Sequence, residues 1–426
     1  MLDRRFIVEN IDLVKQNCAQ RGAKADVDGL VKLDAQRREL GQQVQDLNTR
    51  ANQVSKTIGQ AKDAAEREAR KEEGRKLREQ KDDAQKQLDA LDADIIALQR
   101  MIPNLTHPDA PIGGEDAARE VKLGKSPQPK FDFQPLDHVV LGEKLNMLDF
   151  EGGASVAGHG FYFLKNDAVL LEMALTRYAI DLLIGEGFTP TITPDLARNE
   201  ILEGIGFIPR GTETQIYSVE NTDLSLVATA EITLGGMFKG KVLEEEELPI
   251  KIAGISHCFR TEAGAHGKAT RGLYRVHQFT KVEMFAFTAG ENAVSNAMLD
   301  HLCELECRIF DGLGIHYRVI DTPSGDLGGP AYRKFDLEAW MPGRGDAGEY
   351  GEVTSTSNCT DYQSRRLDIR YKKKGEKGTH LVHTLNGTAV AISRAMIAVM
   401  ENYQQADGSI LVPKVLQPLM GKERIG

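Results

Sequence analysis

Aromatic residues are scarce in this chain, at 6% of 426 residues, and tryptophan occurs once, at Trp340. Cysteine is scarce as well. Cys18, Cys258, Cys303, Cys307 and Cys359 are scattered and odd in number, the pattern of reduced thiols and not of a disulfide framework. Cys303 and Cys307 fall one helical turn apart with only His301 nearby, too few ligands for zinc. No apolar run reaches about 18 residues, which excludes a membrane-spanning helix. Met1–Asn10 is charged and lacks the apolar stretch of a secretory signal, so a cytoplasmic location is expected. Positive charge is not in excess: Lys and Arg number 53 against 63 Asp and Glu, a net −10. That balance excludes non-specific DNA coating, though not a local patch for nucleic acid. G-x-x-x-x-G-K-[ST], H-E-x-x-H and G-x-S-x-G are all absent. Gly343, Gly345 and Gly348 spell G-x-G-x-x-G but lead into a strand-like segment, which makes them a surface turn.

What is present is 41% hydrophobic residues in a chain long enough for two or three domains and a large core. The first 30 residues read as a short helical cap. From Val31 to Ile102 polar and charged residues dominate, without proline or aromatic residues. Leu40, Leu47, Val54 and Ala61 recur every seven residues, and Val44, Ala51, Ile58 and Ala65 form an offset series. A second seam joins Leu77, Ala84, Leu91 and Leu98 with Leu88, Ile95 and Ile102. Two apolar seams with the polar stretch Glu66–Arg75 between them predict an antiparallel coiled-coil hairpin, hinged at that stretch. An oligomerisation coiled coil fits the same pattern. Both charge signs are nearly balanced along it.

Proline and glycine crowd the segment from Pro103 to Phe133, which reads as a linker. The divisions are 1–102 for the helical arm, 103–135 for the linker and 136–426 for an α+β domain. Within the last, helices are expected at Ala168–Glu186, Asn292–Leu313 and from about Val390 to Tyr403. Strands are expected at Lys251–Arg260, Leu273–Phe287, Lys334–Trp340, Glu349–Thr356 and His380–Leu385. Hairpin-linked strands, in place of βαβ alternation, imply an antiparallel sheet with helices beside it.

The densest chemistry lies in Phe259-Arg260-Thr261-Glu262, a polar loop, and Arg275-Val276-His277-Gln278-Phe279-Thr280-Lys281-Val282-Glu283. Alternation places Arg260 with Glu262, and Arg275, His277, Phe279, Lys281 and Glu283 together. Such a face offers cations for phosphates, an aromatic plane for a base and carboxylates for an ammonium group or a metal. By residue type alone, a solvated, salt-bridged sheet face fits equally.

This run resembles motif 2 of the class II aminoacyl-tRNA synthetases, f-R-x-E followed by R-x-x-x-F-x-x-x-E, in the wording of the seryl-tRNA synthetase family. Gly387-Thr388-Ala389-Val390-Ala391-Ile392-Ser393-Arg394 resembles motif 3, with alanines where glycines are usual and Ser393 where many members carry an acid. Gly187-Phe188 with Pro194 resembles motif 1, with Thr191 and Asp195 at usually apolar positions. Thr229-Ala230-Glu231 is similar to the family's serine-binding T-x-E. Glu352-Val353-Thr354-Ser355-Thr356-Ser357-Asn358-Cys359 is similar to its E-[IV]-[ST]-S-x-S-N-C strand. With the helical hairpin, the resemblance spans essentially the whole chain.

The resemblance implies a class II antiparallel catalytic sheet flanked by helices and preceded by a tRNA-binding coiled-coil arm. It implies activation of L-serine by ATP to seryl-adenylate and diphosphate, then transfer to the 3′ end of tRNA(Ser), and to tRNA(Sec) as well, by a homodimer without membrane or DNA partners. On that reading Arg260 holds the α-phosphate and Arg394 the γ-phosphate, with Phe279 and Arg394 sandwiching adenine. Glu262 and the backbone of Val276 meet the base, and Thr261, Val353 and Thr354 complete the ATP site. Glu352 and Ser355 hold Mg²⁺ or phosphates; no zinc is expected. Glu231 and Glu283, with Thr229 and Ala230, bind the serine ammonium, while Thr388 and Asn386 bind its hydroxyl. At the arm's tip Arg67, Arg70, Lys71, Arg75, Lys76 and Arg78 are candidates for tRNA phosphates. A carrier-protein ligase of the same descent would lack the arm, and a non-catalytic paralogue would have lost an ATP arginine or a serine-binding glutamate.

Overall fold

The computed structural model describes residues 1–207, 215–263 and 271–426 and divides into two compact units, Met1–Leu105 and Thr106–Gly426. In the first unit, α1 (Arg4–Glu9) and α2 (Ile11–Gln20) precede two long helices, α3 (Val27–Thr57) and α4 (Ala64–Met101). Aspartate opens three of the four: Asp3, Asp26 and Asp63 each accept a hydrogen bond from a backbone N–H of the first turn. At about 1.5 Å per residue the arms run to roughly 45 and 55 Å.

Leu47, Ala51, Leu77 and Ala84 bury one another where the arms face, and Leu40, Val44 and Val54 flank them. Ile95 and Ile102 join Leu30, Val27, Ile7 and Val14 in a second cluster. The apolar seams thus pack as their spacing dictates, but the hinge lies elsewhere. The chain reverses through Ile58–Gln60 and the residues up to Asp63, and the polar stretch Glu66–Arg75 is helical throughout. Asp63 is the reason: its carboxylate caps Glu66 N, while Glu66 accepts from Lys62 N, so the helix starts before the polar stretch. Gly74 continues the helix, its missing side chain facing Val54. Ala65, placed in the seam by its heptad, is exposed.

The second unit is organised by one eight-stranded sheet. Its strands are β1 (Arg119–Leu123), β2 (Thr189–Ile192), β3 (Ile250–Phe259), β4 (Gln278–Thr288), β5 (Tyr317–Asp321), β6 (Arg333–Met341), β7 (Glu349–Thr360) and β8 (His383–Ala391). In space they run β1-β5-β6-β7-β8-β4-β3-β2. Every neighbouring pair is antiparallel except β2 and β3. Strand β1 comes from the proline-rich segment read as a linker. It is pinned to the sheet edge by Arg119 on Asp321 at 2.6 Å and Lys122 on Glu304 at 2.5 Å.

Four helices matter for the site: α5 (Asp167–Gly185), α6 (Ala230–Gly236), α7 (Asn292–Leu313) and α8 (Ile392–Asn402). Helices α5, α7 and α8 share a core with Val282, Met284 and Ala286 of β4. Helix α6 joins a separate core with Phe285 and Phe287 of the same strand. Period-two alternation along β4 therefore feeds two cores from opposite faces. Among the described residues no helix is long and apolar enough to cross a membrane.

Ile95 is fully buried where α4 packs on α1, α2 and the start of α3. Ile95→Ala is expected to destabilise the first unit by about 2–4 kcal/mol. Hydrogen exchange should accelerate in α3 and α4 while α7 keeps its protection. Equal acceleration in both units would contradict this.

Candidate active site

The face of β4 that buries Phe285 and Phe287 carries Glu283, Lys281 and Phe279 further back along the strand, where the second core ends. There a cavity of about 460 Å³ opens. Strand β8 pairs Thr388 opposite Glu283, and β7 pairs Ser357 opposite Asn386. Helix α6 begins at Thr229, whose Oγ accepts from Glu231 N at 3.3 Å, and this start aims Glu231 inward.

One end of the cavity is acidic and buried. Glu231 and Glu283 are 8% and 2% exposed. Glu231 Oε1 accepts from Gln363 Nε2 at 2.6 Å and from Asn386 Nδ2 at 2.9 Å. Glu283 Oε2 takes the Lys281 ammonium at 2.6 Å and the Thr388 hydroxyl at 3.2 Å. Lys281 Nζ also donates to Thr229 Oγ at 2.8 Å. Burial, reinforced by the Glu283 charge, pushes the Glu231 carboxyl up to about 7, although Gln363, Lys281 and Arg260 pull the other way.

The other end is built from guanidinium groups, rings and a carboxylate. Arg260 stands over the Phe279 ring at 5.4 Å, and Arg394 over the Tyr274 ring at 4.6 Å. Arg394 reaches the Glu352 carboxylate at 3.2 Å, and its Nη1 also donates to the Glu352 carbonyl at 2.9 Å. Burial alone would raise the Glu352 pKa, but Arg394, Lys334 and Arg260 outweigh it and hold the carboxylate below its ordinary range. Glu262 occupies the left-handed backbone region at φ +50°, and Arg275 pairs with its carboxylate at 3.3 Å. Beneath β7, the fully buried Glu306 accepts from Thr354 Oγ at 3.0 Å.

Thr229, Glu231, Arg260, Glu262, Val276, Phe279, Glu283, Glu352, Val353, Thr354, Ser355, Asn386, Thr388 and Arg394 all line this one cavity. Ala230 and Thr261 do not. Ala230 packs into the second core, and Thr261 turns its backbone to Gln215. The alternation assigned to Arg275 and His277 is corrected by the structure, because β4 starts only at Gln278. His277 N donates to Gly160 O, and Tyr274 and Val276 line the cavity where Arg275 and His277 were placed by alternation. Residues 264–270 of the polar loop between the two halves lie outside the described residues. Reading by motif missed Lys281 as a site residue, although its place between Phe279 and Glu283 on one face was legible. It also missed Tyr274, which precedes the strand, and Gln363, which arrives from a separate helix at Tyr362–Leu367.

Among the described residues no cluster of three or more His, Cys, Asp or Glu could hold a metal by itself. The donors present are nonetheless of the kind that suits a hard cation. The Glu352 carboxylate is held ionised and the Ser355 hydroxyl lines the same wall, and both are oxygen donors.

Glu231 yields a pH signature. Its folded-state pKa is raised, so folding favours the protonated form. The unfolded chain loses this proton near 4.5 and the folded chain near 7. Stability therefore falls as pH rises through that window, and a cost of about 3 kcal/mol is complete above it. Glu231→Gln keeps an oxygen for Gln363 and Asn386 but has no proton to lose. Its unfolding midpoint should exceed the parent's at pH 8 and approach it near pH 5. A gap independent of pH would remove Glu231 as the cause.

Comparison with known proteins places this geometry. Residues 1–106 match the model of the seryl-tRNA synthetase N-terminal domain, and residues 215–403 that of the class II tRNA synthetase core domain (G, H, P, S and T). A serine–tRNA ligase of Rhodopirellula baltica is 61% identical over 99% of this chain and 98% of its own. The seryl-tRNA synthetase of Pyrococcus horikoshii, solved with ATP, superposes with a TM-score of 0.91 at 37% identity, over 100% of this chain and 99% of its own. The cytoplasmic serine–tRNA ligase of Naegleria fowleri, solved with AMP, gives 0.87 at 34% identity, over 100% and 98%. A sheet face that pairs a buried acidic end with a guanidinium-lined end, on a chain similar from end to end to these enzymes, has one conclusion: the chain belongs to the seryl-tRNA synthetase family of class II aminoacyl-tRNA synthetases, which activate serine with ATP and charge tRNA with it.

Proposed function

We propose that the 460 Å³ cavity is where serine and ATP meet, serine at the acidic end and the nucleotide at the guanidinium end. The observation that carries this is the one wall formed by β4, β7 and β8 with the first turns of α6 and α8. It sets Glu231, Glu283 and Thr388 beside Arg260, Phe279, Glu352 and Arg394. Two buried carboxylates answer the serine ammonium, and Thr388 and Asn386 answer its hydroxyl. Lys281, seated on Glu283 and Thr229, is a cation in the same place and is the group that serine's ammonium competes with or joins. Arg260 takes the α-phosphate in its planar fork, Arg394 the γ-phosphate, and Phe279 the adenine plane, with Glu262 and the Val276 backbone at the base edge. Thr261, Val353 and Thr354 contribute through the backbone they share with these groups.

In the first step the serine carboxylate attacks the α-phosphorus and diphosphate leaves. In the second, the terminal ribose hydroxyl of tRNA takes the seryl group and AMP leaves. Both steps move negative charge between oxygens and neither needs a protein nucleophile. The work falls to positioning and to fixed positive charge at Arg260 and Arg394. Mg²⁺, held by Glu352 and Ser355, would neutralise phosphate charge. The ATP bound to the Pyrococcus horikoshii relative supports the nucleotide assignment.

Residues 1–102 are the tRNA-binding arm and 136–426 the catalytic domain in this reading. Lys71, Arg75 and Lys76 near the tip are exposed and pair with glutamates one turn away, while the half-buried Arg70 pairs with Glu66 and holds the Thr57 carbonyl. Exposed pairs of this kind are weak and exchange readily for phosphate. Homodimerisation is supported by exposed apolar groups on α5 and β2, with Met173 64% and Ile192 82% exposed. A cytoplasmic location and the serylation of tRNA(Sec) besides tRNA(Ser) belong to the same reading.

ATP–diphosphate exchange without tRNA, offered serine, threonine, alanine and glycine in turn, should be driven chiefly by serine. Thr388→Val should narrow the serine-over-alanine ratio of kcat/KM by about tenfold or more, because the hydroxyl loses a partner built for it. An unchanged ratio would take Thr388 out of the pocket. Replacing Arg67, Arg75 and Lys76 together by alanine should raise the KM for tRNA severalfold and leave exchange untouched. Unaltered charging would take the tip out of tRNA binding.

A further inference from the structure

Behind the nucleotide end, a histidine and a glutamate are buried together without touching the cavity. His138 is 8% exposed and Glu401 1%. Glu401 lies on α8, seven residues and so two turns beyond Arg394, on the same face of the helix. Its Oε1 accepts from His138 N at 3.0 Å and from His138 Nδ1 at 2.9 Å, and its Oε2 accepts from Gly343 N at 2.9 Å. The other ring nitrogen faces the opposite way: His138 Nε2 accepts from Leu273 N at 3.1 Å. A backbone N–H can only donate, so Nε2 is bare and Nδ1 carries the proton. The imidazole is thereby a one-way connector, donating to the helix and accepting from the chain that re-enters motif 2.

The contact is built to close limits. Gly272, at φ +84°, would place a β-carbon 2.1 Å from His138 Nε2, so only glycine lets the ring approach Leu273. Leu273 is fully buried, and its N–H has no water to turn to. The next residue is Tyr274, whose ring lies under Arg394 at 4.6 Å and whose hydroxyl donates to the Glu352 carbonyl at 3.2 Å. The contacts close a circuit from α8 through Glu401, His138, Leu273 and Tyr274, then back to Arg394 on α8.

We propose that His138 and Glu401 are positioning residues for the ATP end of the site: they fix Leu273 so that Tyr274 holds the Arg394 guanidinium in the plane that meets the nucleotide. The serine end, which rests on α6 and β4, takes no part in this circuit. The inference stands on the ATP-end role given to Arg394 above.

Two variants divide the connector. His138→Asn places an amide nitrogen near Nδ1, keeping the donor to Glu401 and leaving Leu273 N–H without an acceptor. His138→Gln can place an oxygen near Nε2 and keep that acceptor. In serine-dependent ATP–diphosphate exchange, His138→Asn is expected to raise the KM for ATP about tenfold, the worth of one buried unpaired N–H, with the KM for serine within about twofold of the parent. His138→Gln should recover most of the ATP KM. Gly272→Ala, which drives a methyl into Nε2, should reproduce the ATP-selective defect and decides the matter if His138→Asn does not fold. Equal rises in both KM values, or identical behaviour of the asparagine and glutamine variants, would overturn the proposal. Arg394→Gln separates the two readings. If it leaves the ATP KM unchanged, the site assignment itself fails; if it raises it while neither His138→Asn nor Gly272→Ala does, only the positioning role fails.

Discussion

Burying two carboxylates at one end of the same cavity is the constraint around which the catalytic unit is arranged. Glu231 and Glu283 sit where solvent cannot screen them, and ionising both there is expensive. The surroundings answer in kind. Lys281 neutralises Glu283, the side-chain amides of Gln363 and Asn386 converge on one oxygen of Glu231, and the Glu231 carboxyl keeps its proton until about pH 7. An apolar substrate gains nothing from such a place. An amino acid with an ammonium and a hydroxyl gains several charge-assisted bonds at once. In the proposed reading, the same groups that make the free protein less stable make the site selective.

Precision at the end proposed for the nucleotide comes from a different source. Arg260 and Arg394 are long and flexible by themselves, and each lies against an aromatic ring: Phe279 for the first, Tyr274 for the second. Stacking removes rotamer freedom before a ligand arrives, so less is lost on binding. Glu352 then completes a fixed array in which charges of both signs are already placed. Strand β4 unites the two ends, since Phe279 belongs to one, Glu283 to the other, and Phe285 beyond them to a packed core. The core's rigidity is continuous along a single backbone with the residues that line both ends of the cavity.

Much of this was legible in the residues. Helix α7 spans Asn292–Leu313 as its composition dictated, and the apolar seams of the arms pack where heptad spacing placed them. Motif residues with strand periodicity, such as Thr388 and Glu283, meet across β8 and β4. Errors arose where a local interaction outweighed a pattern. The Asp63 cap starts a helix before a polar stretch that looked like a hinge. The backbone bond of His277 to Gly160 ends the alternation early. A proline-rich segment contributes an edge strand because β5 offers it a ladder and two ion pairs hold it there. Gln363 and Tyr274 could not be found by spacing, since nothing in the local sequence reports which distant backbone a side chain will face.

Strand order has a consequence for how the molecule is made. β8 is the last strand of the large sheet to leave the ribosome, yet it lies between β7 and β4. Until residue 391 has emerged, β4 and β7 each present an unsatisfied inner edge rich in buried-type residues. Such edges recruit other strands. The nascent chain must keep a central slot open while most of its length waits. Protection of that slot during synthesis is a demand of this topology itself.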